Sequence, residues 1–121
     1  MTSATSWNSE LPSGRNPFWI KDEALADLGL HTGDAVSVDT RREPAAGDLV
    51  LVEIETDELA DRLIRRFQPE GNGQVRLAAA SDAVADLLVE PDQMMVLGVV
   101  CTRVRFEAVD PDATRVVEEP L

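Results

Sequence analysis

Tyrosine is absent from the 121 residues, and cysteine, histidine and lysine occur once each, as Cys101, His31 and Lys21. A single cysteine excludes an intrachain disulfide and fits a reducing compartment. Its place among valines points to a buried, inert thiol. With no CxxC or HxxxH spacing, imidazole and thiolate metal sites are excluded. The carboxylates are scattered evenly, as on a solvated surface, so no metal and no cofactor is expected. A Ser-His-Asp triad would have to use His31, beside the Thr32-Gly33-Asp34 turn, where a lone histidine is ordinarily structural. Aromatic residues make up only 4% of the chain, so Val, Leu, Ile and Ala must fill the core. The longest apolar run, 94–101 (MMVLGVVC), is far too short to span a bilayer, and no secretory signal is evident. A cytoplasmic protein without membrane attachment is the expectation.

Basic residues are also scarce: 11 Lys and Arg stand against 23 Asp and Glu, for a net charge of -12. Such a surface repels a phosphate backbone, which excludes general nucleic-acid binding. The pairs Arg41-Arg42 and Arg65-Arg66 read as solvated surface. The apolar fraction of 44% supports one modest core and one compact domain. Residues 1–17 (MTSATSWNSELPSGRNP) have no apolar period and read as a flexible arm, with Trp7 or Leu11 as its anchor. A domain over 18–108 follows, then an acidic, Pro-flanked tail over 109–121 that is expected to fray.

Strand signals dominate the middle. Residues 35–39 (AVSVD) alternate after the Gly33-Asp34 turn. Residues 49–54 (LVLVEI) form a near-continuous apolar run of the kind buried on both faces. Gly71-Asn72-Gly73 marks a hairpin between 62–67 and 74–78, and it is too short for a phosphate loop. Residues 95–105 (MVLGVVCTRVR) are the longest strand candidate, with Gly98 marking a bulge or a close backbone approach. Ser81-Asp82 caps a short helical turn through 83–88, ended by Pro91. The segment 57–67 is ambiguous, because Leu59, Leu63 and Phe67 at i, i+4, i+8 fit a helical face while 63–67 also fits a hairpin arm. The stretch 22–34 (DEALADLGLHTGD) reads as a short capped helix entering a turn. The fold class is therefore mainly β, with one or two short helical turns and no internal repeat.

A serine-lysine dyad requires a lysine kept neutral by burial. Lys21 is the one candidate. Four of the six serines (Ser3, Ser6, Ser9 and Ser13) fall in the arm, while Ser37 lies in a strand and Ser81 at a helix cap. No residue set compels an enzymatic assignment.

The order of features resembles the C-terminal domain of LexA, UmuD and related phage repressors, the self-cleaving Ser-Lys peptidases. Phe18-Trp19-Ile20-Lys21 stands for the strand before the nucleophile turn. Residues 28–39 (LGLHTGDAVSVD) match "GIxxGDxVxVD", and 47–54 (GDLVLVEI) match "GDxVxVxI". Residues 61–63 (DRL) stand at the "KR" position, and 96–103 match the closing "LGxVxxxxR". The match covers roughly 18–106, with five weak motifs in family order. Counted from Gly29 and Gly33-Asp34, the nucleophile position falls on Ala24. Counted from Gly47-Asp48, the base position falls on Asp61, next to the retained Arg62. A methyl group cannot attack a carbonyl, and a carboxylate cannot replace a neutral buried lysine.

The resemblance implies a coiled β-ribbon or partly open β-barrel, and a strand over 58–67. It implies no catalytic residue, with Ala24 and Asp61 as degenerate positions. Glu23, Leu25, Gly33, Asp34 and Arg62 are the candidate groove and turn residues. It also implies a homodimer through late strands, with Val100, Thr102 and Val104 as the candidate edge. The helix-turn-helix half of such repressors is not encoded in residues 1–17, so sequence-specific DNA reading is not expected. The favoured function is a non-catalytic binding or dimerisation module, regulatory in role, that holds its own arm or a partner peptide by strand addition. The alternatives are an active peptidase with a dyad displaced onto Lys21, and an accessory subunit or antirepressor in a DNA-damage or phage-repressor-type response.

Overall fold

The structure, a computed structural model, describes residues 11–57 and 60–121. It is mainly β, as expected. Among the described residues, eight strands form one antiparallel sheet: β1 (Asn16–Trp19), β2 (Ala35–Asp39), β3 (Leu49–Glu55), β4 (Ala60–Pro69), β5 (Val75–Ala78), β6 (Leu87–Val89), β7 (Met94–Asp110) and β8 (Ala113–Pro120). The only helical elements among the described residues are single 3-10 turns at Ala26–Leu28 and Pro91–Gln93. The strand order is β1-β2-β7-β3-β4-β5-β6, with β8 pairing β7 off this path. Strands β1 and β6 stand at opposite ends of that order, so the sheet is open rather than closed into a barrel.

The seventeen residues of β7 are the spine. Val99 pairs with Asp39 of β2 and with Val50 of β3, so those strands lie on opposite flanks. Beyond Thr102 the flank that β3 leaves is taken by β8. Register shifts that skip Leu97 and Cys101 bulge the strand and let it bend between partners. Gly98 sits at that bend, and its backbone is packed tightly. A Cβ there would lie 2.5 Å from Val38 Cγ1 and 2.8 Å from the Asp39 carbonyl oxygen. Both readings of Gly98, bulge and close approach, therefore hold.

Strand β3 is buried on both faces. Leu51 joins a core cluster with Ile20, Leu25 and Ile64, while Val50, Val52 and Ile54 join a second with Leu63 and Leu77. Each fully buried aliphatic side chain contributes about 1.5–3 kcal/mol, so aliphatics suffice where aromatics are few.

Several expectations are corrected. Residues 81–88 form no helix. Ser81 Oγ accepts the Ala83 amide at 3.1 Å, Asp86 accepts the Ala79 amide at 2.9 Å, and β6 pairs with β5. Burial of Val89 in the second cluster outweighs the weak local helical signal. The segment ambiguous between helix and strand is β4. A spacing of four is a multiple of the strand period, so Leu63 and Phe67 share a strand face as readily as a helical one. The acidic end, expected to fray, is β8, paired with β7 from Thr102↔Pro120 to Asp110↔Ala113. The arm is likewise part of the fold from Leu11 onward: Leu11 is buried with Ala35 and Val104, and Pro17 lies in β1. Trp7 lies outside the described residues.

Candidate functional site

The turn singled out by the sequence is held by its own backbone and carboxylates. The Ile20 amide donates to the Asp34 carbonyl at 2.7 Å, and the Gly33 amide donates back to the Ile20 carbonyl at 2.9 Å. Gly33 adopts φ +93°, a left-handed conformation that a side chain would strain. Glu23 accepts hydrogen bonds from His31 Nδ1 at 2.8 Å and from the Thr32 amide at 2.7 Å. These bonds, that of His31 foremost, pull its pKa down to about 2. Asp34 accepts the His31 amide at 2.9 Å and pairs with Arg103 at 3.1 Å, and both hold its carboxyl below the usual range. Arg103 also donates to the Gly29 carbonyl. Leu25 is 1% exposed and belongs to the core. Glu23, Gly33 and Asp34 thus brace the turn, and Leu25 seats it.

Ala24 is completely buried. Its amide donates to Asp22 Oδ1 at 3.0 Å, and its carbonyl accepts the Ala80 amide at 2.6 Å. Asp61 stands on β4, its carboxylate 2.5 Å from Lys21 Nζ. That bond, followed by one from the Arg62 amide, lowers the Asp61 pKa. Asp22 meanwhile pairs with Arg65 of β4 at 3.2 Å. Two adjacent residues just ahead of Ala24 therefore contact β4 at Asp61 and four residues further on. Ala24 and Asp61, the positions to which the resemblance points, are linked along one seam through Lys21 and Asp22.

Arg65 corrects the surface reading of its arginine pair. Its side chain is 5% exposed, it also donates to the Ile64 carbonyl at 2.8 Å, and its Nε has no partner among the described residues. Sequence reasoning missed it because an Arg-Arg pair in a charged chain looks solvated; only its place among β4's apolar residues hinted otherwise. Lys21 stands out in the sequence as the one candidate base, but its carboxylate partner Asp61 lies too far along the chain to leave a local signal.

The serines among the described residues are engaged elsewhere. Ser37 is fully buried; its hydroxyl lies 2.5 Å from Thr102 Oγ1, which donates to Glu118 at 2.8 Å. Ser81 accepts from its own turn, and Ser13 accepts the Arg15 amide at 3.4 Å. None of these bonds reaches Lys21. Among the described residues, no group of three or more His, Cys, Asp or Glu is placed to hold a metal ion.

Beside the seam opens a cleft of about 490 Å³. Phe18, Lys21, Glu53, Asp61, Arg62 and Met95 are among the residues that line it; Ala24 and Leu25 are not. Arg62, a candidate groove residue, reaches it and pairs with Glu53 at 3.1 Å. Two stretches of main chain near it carry no strand partner on their outer flank among the described residues: the start of β7 before Val99, and β4 before Arg66.

The expected dimer edge is not an edge. Val100 pairs with Val38, Thr102 with both Ser37 and Pro120, and Val104 with both Ala35 and Glu118. Strand β8 covers what the sequence presented as the last exposed strand. Cys101 is half-buried rather than buried, with Arg42 Nη1 4.0 Å from its sulfur. No described helix is long and apolar enough to cross a membrane.

A family profile described as Peptidase S24-like matches residues 5–101. No curated protein matches the chain.

Proposed function

The chain belongs to the Peptidase S24-like family, and from that premise we propose that it is a binding module built on a peptidase fold rather than a working peptidase. The observation that carries this reading is the state of its two degenerate positions. Ala24 has no nucleophilic atom and is sealed in the core, and Asp61 is ion-paired with Lys21. Acyl transfer needs an activated nucleophile beside a neutral base. Lys21 Nζ is engaged by a carboxylate at 2.5 Å, and the described serines bond elsewhere, which argues against a dyad displaced onto Lys21.

The cleft beside the seam takes an extended peptide, by strand addition to main chain left unpaired at the start of β7 or β4. The role is regulatory. Self-association uses the exposed, stacked Trp19 and Phe106 pair, whose ring centroids are 6.1 Å apart, instead of Val100, Thr102 and Val104. The test is to incubate the purified chain at alkaline pH, alone and with a LexA-type substrate, and follow intact masses. Both proteins are expected to stay whole, and any cleavage product that disappears in Lys21→Ala would overturn the reading.

A further inference from the structure

Resting on the peptide-cleft reading above, we infer that the occupant of the cleft is an extended segment of another protein carrying a Lys or Arg side chain. The cleft has a charge imbalance that its internal ion pairs leave unresolved. Four carboxylates line it, from Glu53, Glu55, Asp61 and Asp92, against two cations, Lys21 and Arg62. Lys21 is taken by Asp61 at 2.5 Å and Arg62 by Glu53 at 3.1 Å. Among the described residues, Glu55 and Asp92, which also line the cleft, have no cationic partner. They lie at the same end of the sheet, because Ile54 pairs with Met94 in the β3–β7 register. Each is exposed, so neither pays a desolvation penalty until a ligand arrives.

The rest of the lining suits a peptide rather than a free cation. Met95 is 60% exposed and pairs in register with Glu53, which in turn opposes Arg62. Cross-strand partners share a face, so a flexible thioether stands beside the charged groups on the exposed sheet surface. Phe18 and Met94 add apolar lining. Methionine adapts its shape to varied apolar side chains. A basic side chain can thus place its ammonium or guanidinium between Glu55 and Asp92 while its stem and an apolar neighbour lie on Met95 and Phe18.

Charge complementarity also decides between an occupant in cis and one in trans. Residues 1–10 (MTSATSWNSE) contain no Lys or Arg, so that segment offers the cleft no basic side chain. The arm's single Arg15 is already paired with Glu118 at 3.3 Å. A basic partner is further favoured by the net charge of -12, which steers cationic segments toward the chain.

A displayed library of random dodecapeptides, panned on the intact protein, provides the test. Selected peptides are expected to share one Lys or Arg next to an apolar residue. Synthetic copies are expected to lose about tenfold in affinity on replacing that residue by Ala, a loss of one ion-paired contact. The surface double variant Glu55→Lys/Asp92→Lys, with its fold checked by circular dichroism, is expected to select acidic peptides instead. Glu55→Gln/Asp92→Asn serves if the reversal disturbs folding, and is expected to lose the basic preference. Peptides selected without charge bias, or a preference unchanged in both variants, would overturn the inference while leaving the peptide cleft standing. Failure to enrich any peptide would remove both.

Discussion

Lys21 Nζ and Asp61 Oδ1 meet at 2.5 Å, forty residues apart in the chain. This contact lies on the seam that links the Ala24 turn to β4. Both side chains are nearly half exposed, so water screens the pair. In a double-mutant cycle with Lys21→Ala and Asp61→Ala, the coupling is expected to stay below about 1 kcal/mol. Because the Asp61 pKa is lowered in the folded chain, this small contribution is present above the ordinary carboxylate value and fades as pH falls through the depressed one. A coupling several times larger would mean the pair is shielded from solvent.

The Asp22–Arg65 pair behaves differently. Arg65 is buried while Asp22 retains 36% exposure. Removing the carboxylate with Asp22→Ala strands a guanidinium inside the protein and is expected to destabilise the fold by about 3 kcal/mol. Arg65→Met removes the charge and keeps the volume, leaving Asp22 free to hydrate, and is expected to cost about 1 kcal/mol or less. Urea denaturation of the two variants reads the asymmetry directly, and equal losses would contradict it.

Glu23 links stability to acid. Its pKa lies at about 2, against an ordinary value of 4.5, chiefly through the His31 hydrogen bond. A depressed carboxylate stabilises the fold above its unfolded value, and that contribution is lost as pH falls toward 2. Thermal melts between pH 5 and pH 2 are expected to show a shallower acid decline for Glu23→Gln than for the parent chain. Parallel curves would assign the acid sensitivity to other carboxylates.

Gly98→Ala tests the bend in β7. The new methyl group would meet Val38 Cγ1 and the Asp39 carbonyl oxygen at 2.5 and 2.8 Å. Since a carbonyl in a paired strand cannot swing aside, a loss of roughly 1–3 kcal/mol is expected. A denaturation midpoint unchanged from that of the parent would show that β2 and β7 can separate freely.

Trp19 and Phe106 are each about half exposed and stack on one another. On the proposed self-association surface, Phe106→Glu is expected to convert a micromolar dimer to monomer in sedimentation velocity. A parent chain that sediments as monomer, or a variant that stays dimeric, would rule this surface out.

Much of this architecture was legible locally. The β3 run, the Gly71–Gly73 hairpin and the Gly98 irregularity each carry a short-range signal that packing then agreed with. The resemblance points to Ala24 and Asp61 by counting from Gly33-Asp34 and Gly47-Asp48, which are local signals too. The 81–88 helix and the Val100–Val104 edge were misread for a common reason. Both readings treated a segment alone, yet β5 captured β6 and β8 captured the flank of β7. Nothing near 113–120 announces a strand except Val116 and Val117 among charges, and their partner lies in β7.

By itself the sequence determined the strand class, the turns and the aliphatic core. These follow from residue type and short spacing. Tertiary structure decided the rest: Lys21 against Asp61, Arg65 buried on Asp22, the acidic end folded as β8, and a cleft lined by four carboxylates and two cations. Charge pairing and edge coverage depend on residues tens of positions apart, and only the folded sheet brings them within a few ångströms.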